Sequence, residues 1–159
     1  MRDFSTQEPG DIEDTILRVL ERNRLAVLAT QRNGQPHASL MAFTPLEGVR
    51  FLAFATYRDT LKYESIRQDR RVAILVEDRQ SYVRRSGKRL VLTALGEAIE
   101  TSEEERLAHI ATHLSRHPGL RRFLSSPACE FMRVAVRAYQ VVSGIDDVRW
   151  YEIREPSAT

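Results

Sequence analysis

The chain has 159 residues, 42% of them hydrophobic, and its 24 basic and 22 acidic side chains leave a formal net charge of +2. A chain of this length buries one hydrophobic core, so we expect a single domain over residues 1–159. The near balance of charge argues against a nucleic-acid partner. The single cysteine, Cys129, excludes an intrachain disulfide. We interpret it as an inert buried thiol, because no base or cationic helix start lies near it in the sequence.

The longest apolar runs indicate strands rather than membrane-spanning helices. They cover residues 25–29 and 51–55 and are far shorter than the roughly 20 residues that cross a bilayer. The amino-terminal residues are polar and acidic, without the apolar stretch of a signal peptide. We therefore expect a cytoplasmic protein with no membrane partner.

The first predicted element is an amphipathic helix. We expect residues 1–10 to be disordered, after which Asp11 caps a helix that Asn23 ends. Apolar residues at helical spacing predict that one side of this helix covers a core. These residues are Ile12, Ile16, Leu17, Val19 and Leu20.

Three predicted strands follow this helix. The first two, over 25–30 and about 37–43, flank the turn signal Asn33-Gly34 and predict a β-hairpin. A third strand over 49–56 comes after another turn. We therefore expect the three strands to form a meander.

The middle of the chain alternates between helix and strand. A second helix over about 60–68 precedes a strand over 71–77. A charged connection over 78–87 then leads to a long strand over 88–100. Gly96 lies inside this strand and suggests a bulge or the close approach of another backbone.

Two overlapping capping boxes predict the third helix. Thr101 pairs with Glu104 in one box, and Ser102 pairs with Glu105 in the other. The His-Pro-Gly sequence at 117–119 ends this helix. The residues that we expect on its buried side are Leu107, Ile110, Ala111 and Leu114.

The last part of the chain predicts a short helical segment and two strands. The helical segment covers about 120–124, and the strands cover 131–143 and 148–153. We expect the tail over 154–159 to be disordered. A strand-rich chain with helices inserted between strands favours a small closed barrel of the α+β or all-β class.

The stretch from Phe51 to Glu77 contains a candidate phosphate-binding corner. Its first strand leads into a polar loop with Arg58, Thr60 and Lys62, and this loop opens the second helix. The start of a helix offers unpaired N–H groups and the positive end of the helix dipole, which suit an anion. The alternative is an ordinary N-cap, in which Asp59 or Thr60 satisfies the first turn and Lys62 is solvated.

Three features in this order resemble the pyridoxamine 5′-phosphate oxidase-like family of FMN-binding split β-barrels. They are the Gly34-Gln35-Pro36-His37 start of the second strand, the Thr60 and Lys62 pair, and the apolar strand over 71–76. The resemblance covers roughly 12–78 and continues more weakly to 153. It implies a mainly β (α+β) fold, namely a split β-barrel of six to seven strands with peripheral helices. It also implies a homodimer with FMN bound at the interface.

The resemblance also implies which residues bind FMN. Lys62 and Thr60 would hold the phosphate, with Arg58 nearby, and Thr56 would line the ribityl side. Trp150 would either stack on the ring from a partner subunit or simply pack at the interface. The second strand would lie along the ring through Ser39, Leu40, Met41 and Ala42.

The implied activity is that of an FMN-dependent oxidoreductase acting on a small-molecule redox substrate. Hydride transfer would take place at the flavin, so no side chain is expected to be an obligatory acid or base. Leu61 stands where pyridoxamine phosphate oxidases carry an arginine, and the carboxy-terminal segment lacks their arginine-rich substrate signature. The substrate therefore stays open. The alternatives are a haem-binding or deazaflavin-binding split barrel, or a non-catalytic flavin carrier or sensor.

Three histidines on the third predicted helix form a rival signal. His109, His113 and His117 follow at i, i+4 and i+8, a spacing at which imidazoles could hold a metal. They lie beside the apolar side of the helix, and no carboxylate joins them at ligand spacing. We therefore expect a solvated rim of surface residues with no metal.

Two further features have competing interpretations. His37 is either a hydrogen-bonded structural residue at the start of a strand or a contact to the flavin edge. The run over 82–89 mixes an aromatic residue with cations, as surfaces that bind single-stranded nucleic acid do. A charged hairpin tip is the favoured interpretation of that run.

Overall fold

The computed structural model describes residues 9–79 and 89–155. The predicted disordered arm covered 1–10. Residues 1–8 lie outside the described residues, but residues 9 and 10 are helical, so the prediction is wrong for these two. Most of the charged connection and basic run, at 80–88, and most of the predicted tail, at 156–159, also lie outside the described residues. In chain order, the elements are α1 (Pro9–Arg22), β1 (Leu25–Arg32), β2 (Gln35–Ala42), β3 (Thr44–Leu46), β4 (Phe51–Tyr57), α2 (Leu61–Gln68), β5 (Arg71–Glu77), β6 (Val91–Glu100), α3 (Glu103–Arg116), a 3₁₀ turn (Pro118–Leu120), α4 (Arg121–Leu124), β7 (Cys129–Val142) and β8 (Val148–Glu152).

All described strands belong to one antiparallel sheet of eight strands, in the order β2-β1-β5-β6-β7-β4-β3 with β8 beside β7. The ends of this order approach each other, because β2 lies close to β4, but no ladder joins these two strands within the described residues. The sheet is therefore a split barrel. The predicted α+β split β-barrel with peripheral helices is confirmed.

The predicted hairpin is confirmed at β1 and β2. Asn33 and Gly34 have φ values of 51° and 76°, as the two central residues of a type I′ turn require. The register pairs Thr30 with His37 and Leu28 with Ser39. Since side chains alternate along a strand, these four share one face of the hairpin.

The prediction of a three-stranded meander is wrong. After β2 the chain forms the short strand β3 and turns at Glu47 and Gly48, whose φ values are 50° and 70°. This second tight turn pairs β3 with β4, and β4 then pairs along its other edge with β7. Both edges of β4 are therefore occupied by strands other than β2.

The bulge predicted at Gly96 is confirmed. The register between β6 and β7 shifts between Leu95 and Gly96. A Cβ atom at position 96 would lie 2.2 Å from the carbonyl oxygen of Ala135. Only glycine permits this approach of the two backbones.

The barrel core lies between the inner face of the sheet and the helices. α1 packs against β3 and β8, α2 against β1 and β4, and α3 against β3 and β4. The prediction that α1 covers a core is confirmed, since Ile16, Val19 and Leu20 are fully buried. Cys129 is buried as expected, and burial raises the pKa of its thiol.

The second predicted capping box opens α3. Ser102 is the N-cap, and its hydroxyl accepts a hydrogen bond from the Glu105 amide at 3.4 Å and donates one to the Glu105 carboxylate at 3.1 Å. Thr101 Oγ1 is buried without a hydrogen-bond partner, so the other box does not form.

The prediction of surface histidines on α3 is wrong for two of the three. His113 is fully buried and His117 is 9% exposed, whereas Leu107, predicted to face inward, is 79% exposed. The reason is a set of polar partners that no local pattern reveals. His113 Nδ1 is hydrogen-bonded to Thr44 Oγ1 at 2.7 Å, and His117 Nε2 donates to the Phe43 carbonyl at 2.7 Å.

Candidate functional site

The predicted phosphate corner is formed by the end of β4, the loop over 58–60 and the start of α2. Thr60 is the N-cap of α2, with its hydroxyl accepting from the Tyr63 amide at 3.4 Å. The same hydroxyl lies 2.8 Å from Thr56 Oγ1 and donates to the Tyr57 carbonyl at 2.9 Å. Two predicted site residues, Thr56 and Thr60, are therefore in direct contact.

Lys62 lies in the first turn of α2 and is half-buried. In the described part of the chain its ammonium group has no hydrogen-bond or ion-pair partner. The first N–H groups of a helix also lack partners within that helix. The Thr60 hydroxyl, the Lys62 side chain and the first amides of α2 thus all belong to one end of the helix, and each of these groups favours an anion.

Arg58, which was expected near the phosphate, is instead paired with a carboxylate of the fold. Its Nε donates to the Glu130 carboxylate at 2.7 Å, and its amide donates to the Ala128 carbonyl at 3.1 Å. The hydrogen bond and the charge of Glu130 raise the pKa of the Arg58 guanidinium. Arg58 therefore ties the loop to the start of β7, and a phosphate would compete with Glu130 for it.

The predicted ring-lining residues of β2 divide between two faces of the strand. Ser39 and Met41 point inward, and Met41 is only 7% exposed. Leu40 and Ala42 point outward, and Leu40 is 65% exposed. Because β2 pairs only with β1 in the described sheet, its other edge presents unpaired backbone groups along these four residues.

Buried polar atoms without partners lie on the inner face of this hairpin. Thr30 Oγ1, His37 Nδ1 and Ser39 Oγ are all shielded from solvent and have no hydrogen-bond partner. Such atoms are rare in folded proteins and cost about 1–3 kcal/mol each when left unpaired. All three belong to the β1–β2 hairpin, whose outer strand β2 is at the edge of the described sheet. Thr30 was missed by the sequence reasoning, although an inward threonine in an otherwise apolar strand was its signal.

Trp150 lies far from β2 within one chain. The strand registers place Leu40, Val27, Leu75, Thr93, Gln140 and Trp150 in one row across the outer face of the sheet. Leu40 and Trp150 occupy the two ends of this row. They are five strand spacings apart, on the order of 20 Å. Trp150 therefore reaches a ring at β2 only if it belongs to a second chain.

Two negative findings concern the described ranges 9–79 and 89–155. They contain no group of three or more His, Cys, Asp or Glu side chains arranged to hold a metal ion. They also contain no helix that is both long enough and apolar enough to span a membrane.

The structure is similar to solved structures of low sequence identity. A haem-binding protein from Mycobacterium smegmatis matches with a TM-score of 0.78 and 18% identity, over 92% of this chain and 59% of that one. This chain therefore spans less than two thirds of that protein. An FAD-binding protein from Mesorhizobium loti matches with a TM-score of 0.66 and 17% identity, over 82% and 93% of the two chains.

General stress protein 26 from Bacillus anthracis also matches, with a TM-score of 0.68 and 18% identity, over 89% of this chain and 98% of that one. At these identities the structural matches establish a shared fold. A comparison with curated protein sequences gave no significant match. The model of the pyridoxamine 5′-phosphate oxidase family matches residues 12–141, most of the chain. The chain therefore belongs to the pyridoxamine 5′-phosphate oxidase-like family of split β-barrels.

Proposed function

We propose that the protein binds FMN at the split between β2 and β4 and acts as an FMN-dependent oxidoreductase on a small-molecule redox substrate. The observation that carries this proposal is the start of α2. There Thr60 and Thr56 lie 2.8 Å apart, and Lys62 has no partner in the described chain. An ammonium group, hydroxyls and helix amides are the donor set that a phosphate monoester requires.

The β2 strand supports the same proposal from the other side of the split. Its free edge offers backbone donors and acceptors, and Ser39 Oγ and His37 Nδ1 are buried polar atoms without partners. A flavin is a flat group with polar atoms along its edge, so it would pair these atoms and exclude water. We therefore propose His37 as a contact to the cofactor, the second of the two interpretations that its sequence position allows.

The chemistry would come from the bound cofactor, since FMN accepts and donates hydride. The residues of this chain would bind and orient it. Lys62, Thr60 and Thr56 would fix the phosphate end, and the edge of β2 would fix the ring. We propose no side chain as a catalytic acid or base.

A homodimer is part of this proposal. The row across the outer sheet face includes exposed apolar side chains that no described helix covers: Leu40 is 65%, Leu75 40% and Trp150 56% exposed. The row is apolar from Leu40 through Val27 to Leu75, and Thr93 and Gln140 separate this part from Trp150. Exposed apolar surface of this kind is typical of an interaction site. A second copy related by a two-fold axis would cover the row and bring its own Trp150 toward β2.

The absorption spectrum of the freshly purified protein tests the cofactor directly. We expect the two visible bands of an oxidised flavin, and release of FMN on denaturation. Reduction of the bound flavin by a nicotinamide, followed by reoxidation with an added acceptor, would support catalysis. A haem spectrum, a deazaflavin spectrum or a protein that takes up no added FMN would each contradict the proposal. Tight FMN without turnover would indicate a carrier or sensor.

A further inference from the structure

The side chain of Glu130 lies beside the candidate phosphate corner. The ladder between β4 and β7 pairs Glu130 with Thr56. Residues directly opposite each other in an antiparallel pair extend their side chains from the same face, with Cβ atoms about 4.5–5.5 Å apart. Thr56 Oγ1 in turn lies 2.8 Å from Thr60 Oγ1. A carboxylate is therefore a close neighbour of the two hydroxyls that the proposed phosphate would contact.

Two arginines compensate the charge of Glu130. Arg58 Nε donates to Glu130 Oε1 at 2.7 Å, and Arg106 Nη1 lies 3.7 Å from Glu130 Oε2. Arg106 belongs to α3 and also donates to the Cys129 carbonyl at 3.4 Å. The Glu130 side chain is only 19% exposed, so its charge requires a partner. Arg106 is a partner that does not belong to the phosphate corner.

The ion pair between Arg58 and Glu130 is placed for exchange with a phosphate. Arg58 lies inside the turn that the Thr60 amide closes on the Tyr57 carbonyl at 3.4 Å. Its side chain is 51% exposed, and an ion pair with an exposed partner is weak. A guanidinium binds a phosphate through two parallel hydrogen bonds. A phosphate held by Thr60 and Lys62 would therefore be a stronger partner for Arg58 than Glu130 is.

We propose that Glu130 controls the affinity of the phosphate corner by holding Arg58 in an ion pair that the ligand must exchange. This inference rests on the proposed FMN function. On binding, the Arg58 guanidinium passes from Glu130 to the phosphate, and Arg106 remains as the partner of Glu130. Breaking the old ion pair offsets part of the free energy gained from the new contact. Glu130 therefore weakens FMN binding and makes the cofactor easier to release.

Calorimetric titration of the full-length protein with FMN, and with riboflavin, which lacks the phosphate, tests this exchange. Glu130→Gln should bind FMN about tenfold more tightly than the native protein, because Arg58 then reaches the phosphate without leaving a charged partner. Adding Arg58→Gln to this variant should remove the gain. The riboflavin affinity should be the same in all three proteins, and this equality also shows that the variants remain folded.

The matched control is Glu104→Gln, which removes an exposed carboxylate from the first turn of α3. It should bind FMN as the native protein does. The exchange would be overturned by an unchanged or weaker FMN affinity in Glu130→Gln, by an equal gain for riboflavin, or by an equal gain in Glu104→Gln. A gain that persists in the double variant would also overturn it, because Glu130 would then act by direct repulsion of the phosphate.

The same titrations separate this exchange from the cofactor proposal. FMN binding by the native protein without a gain in Glu130→Gln overturns the exchange alone. An absence of FMN binding from both proteins overturns the proposed function, and the exchange with it.

Discussion

His113 and His117 lie one helical turn apart, with ring centroids separated by 4.7 Å, in the buried contact between α3 and the β3 region. His113 has one hydrogen bond, to Thr44, and its Nε2 atom is buried without a partner. Two imidazoles in this setting must remain neutral for the contact to persist. This relationship makes the stability of the protein depend on pH.

Acidification should destabilise the protein between about pH 6.5 and pH 4. Burial, with a smaller contribution from the charges of His117 and Arg116, lowers the pKa of His113 from 6.5 to about 4. Burial also lowers the pKa of His117. Below pH 6.5 the unfolded chain binds protons that the folded chain does not. The free energy of unfolding should therefore fall as the pH is lowered, by on the order of 2 kcal/mol, and be insensitive to these groups above pH 7.

Urea unfolding at a series of pH values between 7.5 and 4.5 measures this effect. The variant His113→Gln should have a flatter profile, whereas His109→Gln, on the same helix, should retain the native slope. Protonation of Asp69 should not contribute to the loss of stability between pH 7.5 and pH 4.5. Its hydrogen bonds to Arg71 lower the pKa of its carboxyl group, so its contribution is lost only below about pH 4. A native profile that is flat down to pH 4.5 would contradict the prediction.

Lys62→Ala should weaken FMN binding about tenfold or more and leave stability unchanged. The ammonium has no partner in the described chain, so its removal breaks no hydrogen bond or ion pair among the described residues, while a charge-assisted hydrogen bond to phosphate contributes about 1.5–3 kcal/mol. Calorimetric titration with FMN measures the affinity, and Lys62→Arg should retain much of it. Arg67→Ala, on the same helix, is the control. An unchanged affinity in Lys62→Ala would remove Lys62 from the site.

Leu75→Asp should dissociate the dimer. Leu75 is 40% exposed in the apolar part of the row, and a carboxylate there would be desolvated by a second copy. Light scattering at micromolar concentration should give twice the chain mass for the native protein and the single mass for this variant. Leu107→Asp places the same charge on α3, at a side chain that is 79% exposed, and should remain dimeric. A native monomer that still binds FMN would refute the proposed interface.

Gly96→Ala should destabilise the protein by about 1–3 kcal/mol or more, the usual range for overpacking. The new methyl group would lie 2.2 Å from the Ala135 carbonyl oxygen, so the backbones of β6 and β7 would have to separate. Gly119→Ala is the matched control, because a methyl group there meets nothing within 4 Å. Thermal unfolding of the two variants provides the comparison. Equal melting temperatures for Gly96→Ala and Gly119→Ala would contradict the prediction and show that the bulge accommodates the methyl group.

Local signals in the sequence were sufficient for most elements. The boundaries of β5, Arg71–Glu77, coincide with the predicted strand. The Asn33-Gly34 turn, the Ser102 cap and the Gly96 bulge were all predicted correctly. For the start of α2 the sequence left Asp59 and Thr60 open as N-caps, and the structure has Thr60. Each depends on backbone conformation or on hydrogen bonds within a few residues, so a short window of sequence determines it.

Contacts between distant segments were not predictable in this way. The pairing of β4 with β7 joins residues far apart in the chain. The ion pair between Arg58 and Glu130 also joins distant residues. It occupies the guanidinium of Arg58, which the sequence analysis had expected near the phosphate. The periodicity of α3 predicted exposed histidines because hydropathy treats histidine as polar. Thr44 and the Phe43 carbonyl supply the hydrogen bonds that bury His113 and His117.

The candidate site likewise contains residues that the sequence predicted and residues that only the tertiary structure brought together. The sequence by itself determined the family resemblance and the Thr60 and Lys62 pair, because these two residues lie two positions apart at the start of one helix. Only the tertiary structure brought Thr30, His37 and Ser39 together as buried atoms without partners, since that depends on the register of β1 against β2 and on what packs over them. The row from Leu40 to Trp150 likewise exists only because six strands are aligned across one face of the sheet.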